Sequence, residues 1–402
     1  MSDIPTTPPV PEIRKEPRPV ADREWAAWRR YALIAAAAGA LLCLPGLWLA
    51  PVGFFHAYLS AWLFWFGLSF GCLGLMAIHN LTGGQWGLLT RRLTESAAMM
   101  LPLLAVLFVP VALGMGRLYP WAHHEPEHHL HPHKQVWLDP AFWLLRAAGY
   151  FTIWIVLTLL FWRLSPRPGD TARADRAATL SGPGLVLLVL TVTFAAVDWI
   201  MSLEPEFVSS IWGVYFIGGA LVSSLAAVIL GLLFLSDRPP LRSAATPDRI
   251  HDLAKLLGGF VMLWAYFAFS RFLLIWSADL PEEIPFYVHR VTHGWGWVSL
   301  SLIALHFALP FFLLLFRRIK KQPQALAAIA SLVVAMHFVD MYWLVMPALP
   351  EHGIGDVLTA AAATAGVGGL WLAGVLTALP LRPLDASLPT VTPEPSPEAA
   401  HA

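Results

Sequence analysis

Asp198, Glu204 and Glu206 fall within nine residues of the stretch AAVDWIMSLEPEFVSSIWGVYF (195–216), ringed by Trp199, Trp212 and Tyr215 in a chain that otherwise avoids charge. Carboxylates so placed can exchange protons, dock a basic partner or simply meet solvent. A second group with chemistry is the loop WAHHEPEHHLHPHK (121–134), where His123, His124, His128, His129, His131 and His133 sit with two glutamates. Such a tract can bind zinc or copper, buffer protons or contact a partner, and without defined ligand spacing it remains compositional. A third is SADLPEEIPFYVHR (277–290), with Asp279, Glu282 and Glu283. Acidic loops on one face suit docking of a basic or haem-bearing partner, and solvation explains them equally well.

The elements that must position these residues follow from composition. The 402-residue chain is 57% apolar and 13% charged, with 19 Trp and 23 Phe, which excludes an ordinary soluble domain and points to a membrane protein. Its two cysteines, Cys43 and Cys72, leave no CxxC, no CxxCH and no iron–sulfur ligand set, so such redox centres are expected on partners. Ten stretches reach the roughly 20 apolar residues a spanning helix needs: 29–50, 54–79, 96–116, 141–163, 183–202, 208–235, 250–276, 292–316, 325–346 and 356–379. Continuous runs of this length predict helices rather than a barrel. Residues 1–28, Pro-rich and charged without an apolar core, are no signal peptide and read with 381–402 as disordered tails flanking a transmembrane domain over 29–380. Both tails and alternate loops carry 20 Arg and Lys, against three (Arg117, Lys134, Arg290) in the remaining loops, predicting cytoplasmic termini.

Orientation divides the opening cluster. Pro205 marks a tight turn outside the membrane that carries Glu204 and Glu206, while Asp198 lies about a turn inside the fifth stretch, where a charge is costly unless paired or wet. Trp199, Trp212 and Tyr215 fit the aromatic belt at the membrane boundary. Counting helix rise places Arg146, Arg271 and Asp340 at the level of Asp198, His306 and His337 near mid-membrane, and His79, Glu95 and Lys255 toward the cytoplasm. So stacked, they form either a ladder of exchangeable protons, with Asp198 the first residue to test, or static ion pairs and core histidines that hold helices together. The comparable depth of His306 and His337 also permits bis-histidine haem ligation.

Six blocks in order, HNLTGGQWGLLTRRLTESA (79–97), YPWAHH leading to HKQVWLDPAFWLLR (133–146), DWIMSLEPEFVSSIWGVYF (198–216), FSRFLLIWSADLPEEIPFYVHR (269–290), HFALPFFLLLFRRIKK (306–321) and VDMYWLVMPA (339–348), resemble the ActF-type subunit of alternative complex III. That complex is a bacterial quinol:cytochrome c oxidoreductase, and its ActF-type subunit is related to the NrfD/PsrC family of integral membrane proteins. The resemblance covers about two thirds of the chain and implies two four-helix bundles, roughly 54–202 and 208–346, with peripheral helices 29–50 and 356–379. It implies a bacterial cytoplasmic-membrane location and no redox centre on this subunit. It also implies partners: membrane lipid, an ActC-type quinol-binding subunit, a periplasmic iron–sulfur subunit and cytochrome c subunits holding c-type haems, with menaquinol or another quinol as substrate and no nucleic acid. The family favours Gln where Arg271 stands and Asn where Asp279 stands, an Arg is common near His337, and the ending LRPLDASLP is shortened. The base beside Asp340 would then have moved from the ninth stretch to the seventh.

The expected function is therefore that of a non-redox subunit scaffolding a quinol-oxidising complex and providing a proton path. Two other classes stay open: a stand-alone proton or ion transporter, expected to show matched broken helices in each half, and a purely structural membrane anchor.

Overall fold

The computed structural model describes residues 20–122, 132–165, 170–292, 294–349 and 353–382. Over the described residues the protein is an all-α integral membrane protein with ten long apolar helices: spans 1 (Asp22–Leu49), 2 (Pro51–Thr82), 3 (Gln85–Leu113), 4 (Pro140–Arg163), 5 (Thr171–Leu203), 6 (Trp212–Leu235), 7 (Pro247–Ala278), 8 (Trp295–Leu315), 9 (Pro323–Ala348) and 10 (Ile354–Leu381). Local sequence sets many of their starts. Pro51, Pro140, Pro247 and Pro323 occupy first helical positions, where a missing N–H costs nothing. Asp139, Asp170 and Thr246 cap spans 4, 5 and 7 by accepting from the backbone N–H of Phe142, Arg173 and Arg249.

Span 3 is interrupted where Pro102 and Pro110 start new helical segments. Carbonyls of this irregular stretch are met by side chains of span 2: Trp62 Nε1 donates to Leu104 O (2.9 Å) and the Tyr58 hydroxyl to Leu107 O (2.7 Å). Irregular backbone at membrane depth is thereby satisfied inside the protein.

Spans 2 to 5 pack in a ring, spans 6 to 9 form a second, and span 2 joins them by lying against spans 6 and 9. Spans 1 and 10 pair with each other on the outside of span 2. Their seam is lined by small residues. A Cβ added at Gly39 would fall 2.3 Å from Gly366 N, and one at Gly369 2.4 Å from Ala36 N, so the backbones touch.

Three helix starts differ from expectation by seven residues or more. Span 1 begins at Asp22 rather than 29, and span 5 at Thr171 rather than 183, with Pro183 inside the helix. Span 3 begins at Gln85 rather than 96, which turns Arg91 and Arg92 from loop cations into buried helical residues. Of the expected tails, 1–19 and 383–402 lie outside the described residues.

Candidate functional site

The first site lies between spans 4 and 5. Asp198 is fully buried, one turn before span 5 ends, and both of its oxygens are occupied. Arg146 Nε donates to Oδ2 at 2.9 Å and Arg146 Nη2 to Oδ1 at 2.8 Å, a two-pronged ion pair. Tyr150 OH adds a bond to Oδ2 (3.0 Å) and Trp137 Nε1 one to Oδ1 (2.8 Å). The Arg146 guanidinium also lies 4.1 Å from the Trp137 ring centroid. Backbone carbonyls at the end of the span are tied down too: Trp143 Nε1 donates to Asp198 O, Tyr119 OH to Trp199 O and Trp121 Nε1 to Ser202 O.

The second site lies among spans 6, 7, 8 and 9 and is built differently. Asp340, fully buried, accepts a hydrogen bond from Tyr215 OH on Oδ1, while its Oδ2 has no hydrogen-bond partner among the described residues. Arg271, expected as its base, does not bond to it. Its Nε donates to Tyr287 OH (3.0 Å) and its guanidinium lies 3.9 Å from the Tyr215 centroid, so Tyr215 stands between cation and acid. Toward mid-membrane the Trp264 ring follows, 6.1 Å from Tyr215 and 4.1 Å from His306, and His306 is 6.4 Å from His337. His306 sits on a wide π-helical turn, Leu302–Ala308, a distortion that recurs at functional sites.

Eleven buried side-chain polar atoms among the described residues lack a hydrogen-bond partner, and seven belong to this second site: Trp264 Nε1, Arg271 Nη1, Asp340 Oδ2 and both ring nitrogens of His306 and His337. Buried polar groups are ordinarily satisfied, so such a concentration sets this site apart from the rest of the described interior.

Bis-histidine haem ligation does not fit. His337 Nε2 faces Gly67 of span 2, where even a methyl group would lie 3.1 Å away, and Trp264 is against His306. An iron bound at Nε2 would fall into span 2.

The lower rungs of the expected ladder lie elsewhere. Glu95, fully buried on span 3, is clamped by Arg91 (2.7 Å) and Arg92 (2.6 Å), with Asn80, Ser165 and Ser181 completing a closed polar cluster in the first bundle. His79 Nε2 meets Gly84 O at 3.0 Å, and its ring lies against Trp86. Lys255 is exposed and pairs with Asp252 (3.0 Å), outside any buried column.

The outer loops also divide. Glu204, read as a solvated or docking carboxylate, accepts from Arg290 Nη1 at 2.8 Å. Arg290 is wholly buried and donates as well to Trp343 O, Leu344 O and Phe286 O, so this clasp locks the turn after span 5 onto the end of span 9. Burial pulls the Arg290 guanidinium down to about 10, with Glu204 opposing, which leaves it a cation at neutral pH. Glu206, Asp279 and Glu282 are exposed and Glu283 half-buried. The expected aromatic belt is instead core: Trp199, Trp212 and Tyr215 are all buried, the last two stacked on Arg271.

Among the His-rich residues, His123, His124, His128, His129 and His131 lie outside the described residues, and of His133 only the backbone, in the short helix Pro132–Trp137, is described. Among the described residues no group of three or more His, Cys, Asp or Glu could hold a metal. Residues the sequence reading passed over are Trp137, Tyr150, Trp264, Tyr287 and the Arg290 clasp. A recurring spacing offers one signal: Val-Asp followed by Pro seven residues after the acid occurs at Asp198/Pro205 and at Asp340/Pro347. No family model matches the chain, and no curated protein matches it.

Proposed function

We propose that the chain is a non-redox membrane subunit of a quinol:cytochrome c oxidoreductase of the alternative complex III type, which scaffolds the complex and handles protons released as quinol is oxidised. The observation that carries this reading is the column Tyr287–Arg271–Tyr215–Asp340–Trp264–His306–His337, buried and rich in unpartnered polar atoms. Each quinol gives up electrons and protons. The electrons leave through iron–sulfur clusters and haems on partner subunits, since two buried cysteines on separate helices cannot supply a cluster. The protons need groups that bind and release them, and imidazoles together with an incompletely bonded carboxyl are suited to that.

The six ordered blocks of sequence support the same reading. The excess of Arg and Lys on one face supports cytoplasmic chain ends in a bacterial inner membrane. Exposed Glu206, Asp279 and Glu282 on the opposite face suit a basic cytochrome or iron–sulfur partner.

Purification of the tagged chain from native membranes tests the assignment: haem-bearing partners and quinol:cytochrome c activity should travel with it, and a chain that runs alone refutes it. For the proton role, Asp340→Asn in the assembled complex should lower the proton-to-electron ratio or slow quinol oxidation. Wild-type values for both remove Asp340 from the path. A structural reading is favoured at one place, the Asp198 carboxylate, both of whose oxygens are bonded by Arg146, Tyr150 and Trp137. Asp198→Asn should therefore reduce the yield of assembled complex and leave the ratio per complex unchanged.

A further inference from the structure

A cavity of about 610 Å³ runs between spans 1, 2, 6 and 10, with walls that are almost wholly apolar. Its volume matches that of sites for drug-sized ligands, which also carry a few orienting polar groups. Here the lining offers little beyond the Tyr31 hydroxyl and the Cys72 thiol. Trp65 and Trp371 line it, but their indole N–H groups are already spent on Thr364 O (2.9 Å) and Ser69 Oγ (2.7 Å), so only ring faces remain for a ligand. Tyr31 and Phe234 on its wall are exposed, so the cavity opens to the surroundings of the bundle.

Depth narrows the occupant. Trp25 and Trp28, in the first two turns of span 1, lie at one end of the lining and Ala35 is ten residues deeper, about 15 Å along the axis. That is half of a hydrocarbon core about 30 Å thick, the reach of one leaflet. The tryptophans sit where amphipathic rings mark the interface. Charge narrows it further. Arg29 is exposed one turn from lining residues Trp25 and Ala32, and Arg238 holds Glu24 at 2.9 Å near the same end of span 1.

We infer that this cavity is a lipid site, holding one acyl chain of an anionic phospholipid whose phosphate rests beside Arg29. The inference stands apart from the proposed respiratory role. The test uses the purified protein with whatever partners it retains, in phosphatidylcholine vesicles containing phosphatidylglycerol with a photoactivatable acyl chain. After irradiation, crosslinks should concentrate on the cavity walls of spans 1, 6 and 10, and more from the phosphatidylglycerol probe than from a phosphatidylcholine probe. Ala227→Trp, which fills the cavity, should abolish them while leaving crosslinks on the other helices. Arg29→Gln, an exposed change that does not touch the core, should reduce the headgroup preference about fivefold; it keeps the test open should the filled variant misfold. Wall crosslinks that survive Ala227→Trp, a wild type that does not distinguish the two headgroups, or displacement of the probe by an equimolar isoprenoid quinone would each overturn the inference.

Discussion

Asp198 and Asp340 make an internal comparison. Each lies in the last turns of the fourth helix of its bundle, each is fully buried, and each is followed by a proline at the same distance. Asp198 receives four hydrogen bonds, two from one arginine. Asp340 receives one, from a tyrosine that also separates it from its cation, and keeps an oxygen free. A carboxylate saturated by fixed donors is a brace: moving a proton onto it would break several bonds at once. A carboxyl with spare capacity, next to unpartnered imidazoles, can change its protonation at little structural cost. The pair shows that intramembrane charge by itself does not reveal function. The count of satisfied valences separates the two.

Four sets of variants can break or sharpen this contrast, read as thermal unfolding of the purified protein. Arg146→Met strands a buried carboxylate and should cost about 3–5 kcal/mol. Arg271→Met, which breaks no direct ion pair, should cost clearly less, and equal losses would erase the distinction. Glu204→Gln weakens the clasp to Arg290 and should cost about 1.5–3 kcal/mol. Tyr215→Phe removes the hydrogen bond that Asp340 Oδ1 accepts and should cost about 1–3 kcal/mol, against about 1 kcal/mol for Tyr150→Phe, which removes one of four bonds at Asp198. The reverse order would mean that Asp340 finds other partners. Glu206→Gln, on an exposed neighbour of Glu204, should stay within about 0.5 kcal/mol; a larger loss would show that the outer turn is not divided as its contacts indicate.

All ten spans were legible as apolar runs, because lipid demands them whatever the tertiary arrangement. The start of span 3 was not. QWGLLTRRLTES has polar residues that hydropathy assigns to a loop, yet Glu95 pairs with both Arg91 and Arg92, and that polar face is buried inside the protein. Helix rise placed Arg146 and Asp198 at one depth, and they pair. The same arithmetic put Arg271 and Asp340 together but could not see Tyr215 between them, since depth says nothing of rotation about the helix axis. Trp199, Trp212 and Tyr215 read as a boundary belt because they sit near span ends. Loop residues Tyr119, Trp121 and Arg290 fold over those ends and make the boundary an interior. Such cover comes from chain far away in sequence and leaves no local trace.

The glycine seam between spans 1 and 10 carries a consequence for biosynthesis. Cys43 on span 1 meets the Thr359 carbonyl on span 10 across 316 residues, so span 1 enters the membrane long before its partner exists. At ribosomal speeds of about 5–20 residues per second, that interval is roughly 15–60 s. Throughout it the small-residue stripe of span 1 lies bare to lipid and to other helices, and the last helix to emerge closes it. Truncation before span 10 should therefore leave a chain whose first helix pairs promiscuously, a defect of assembly timing rather than of any bond in the finished fold.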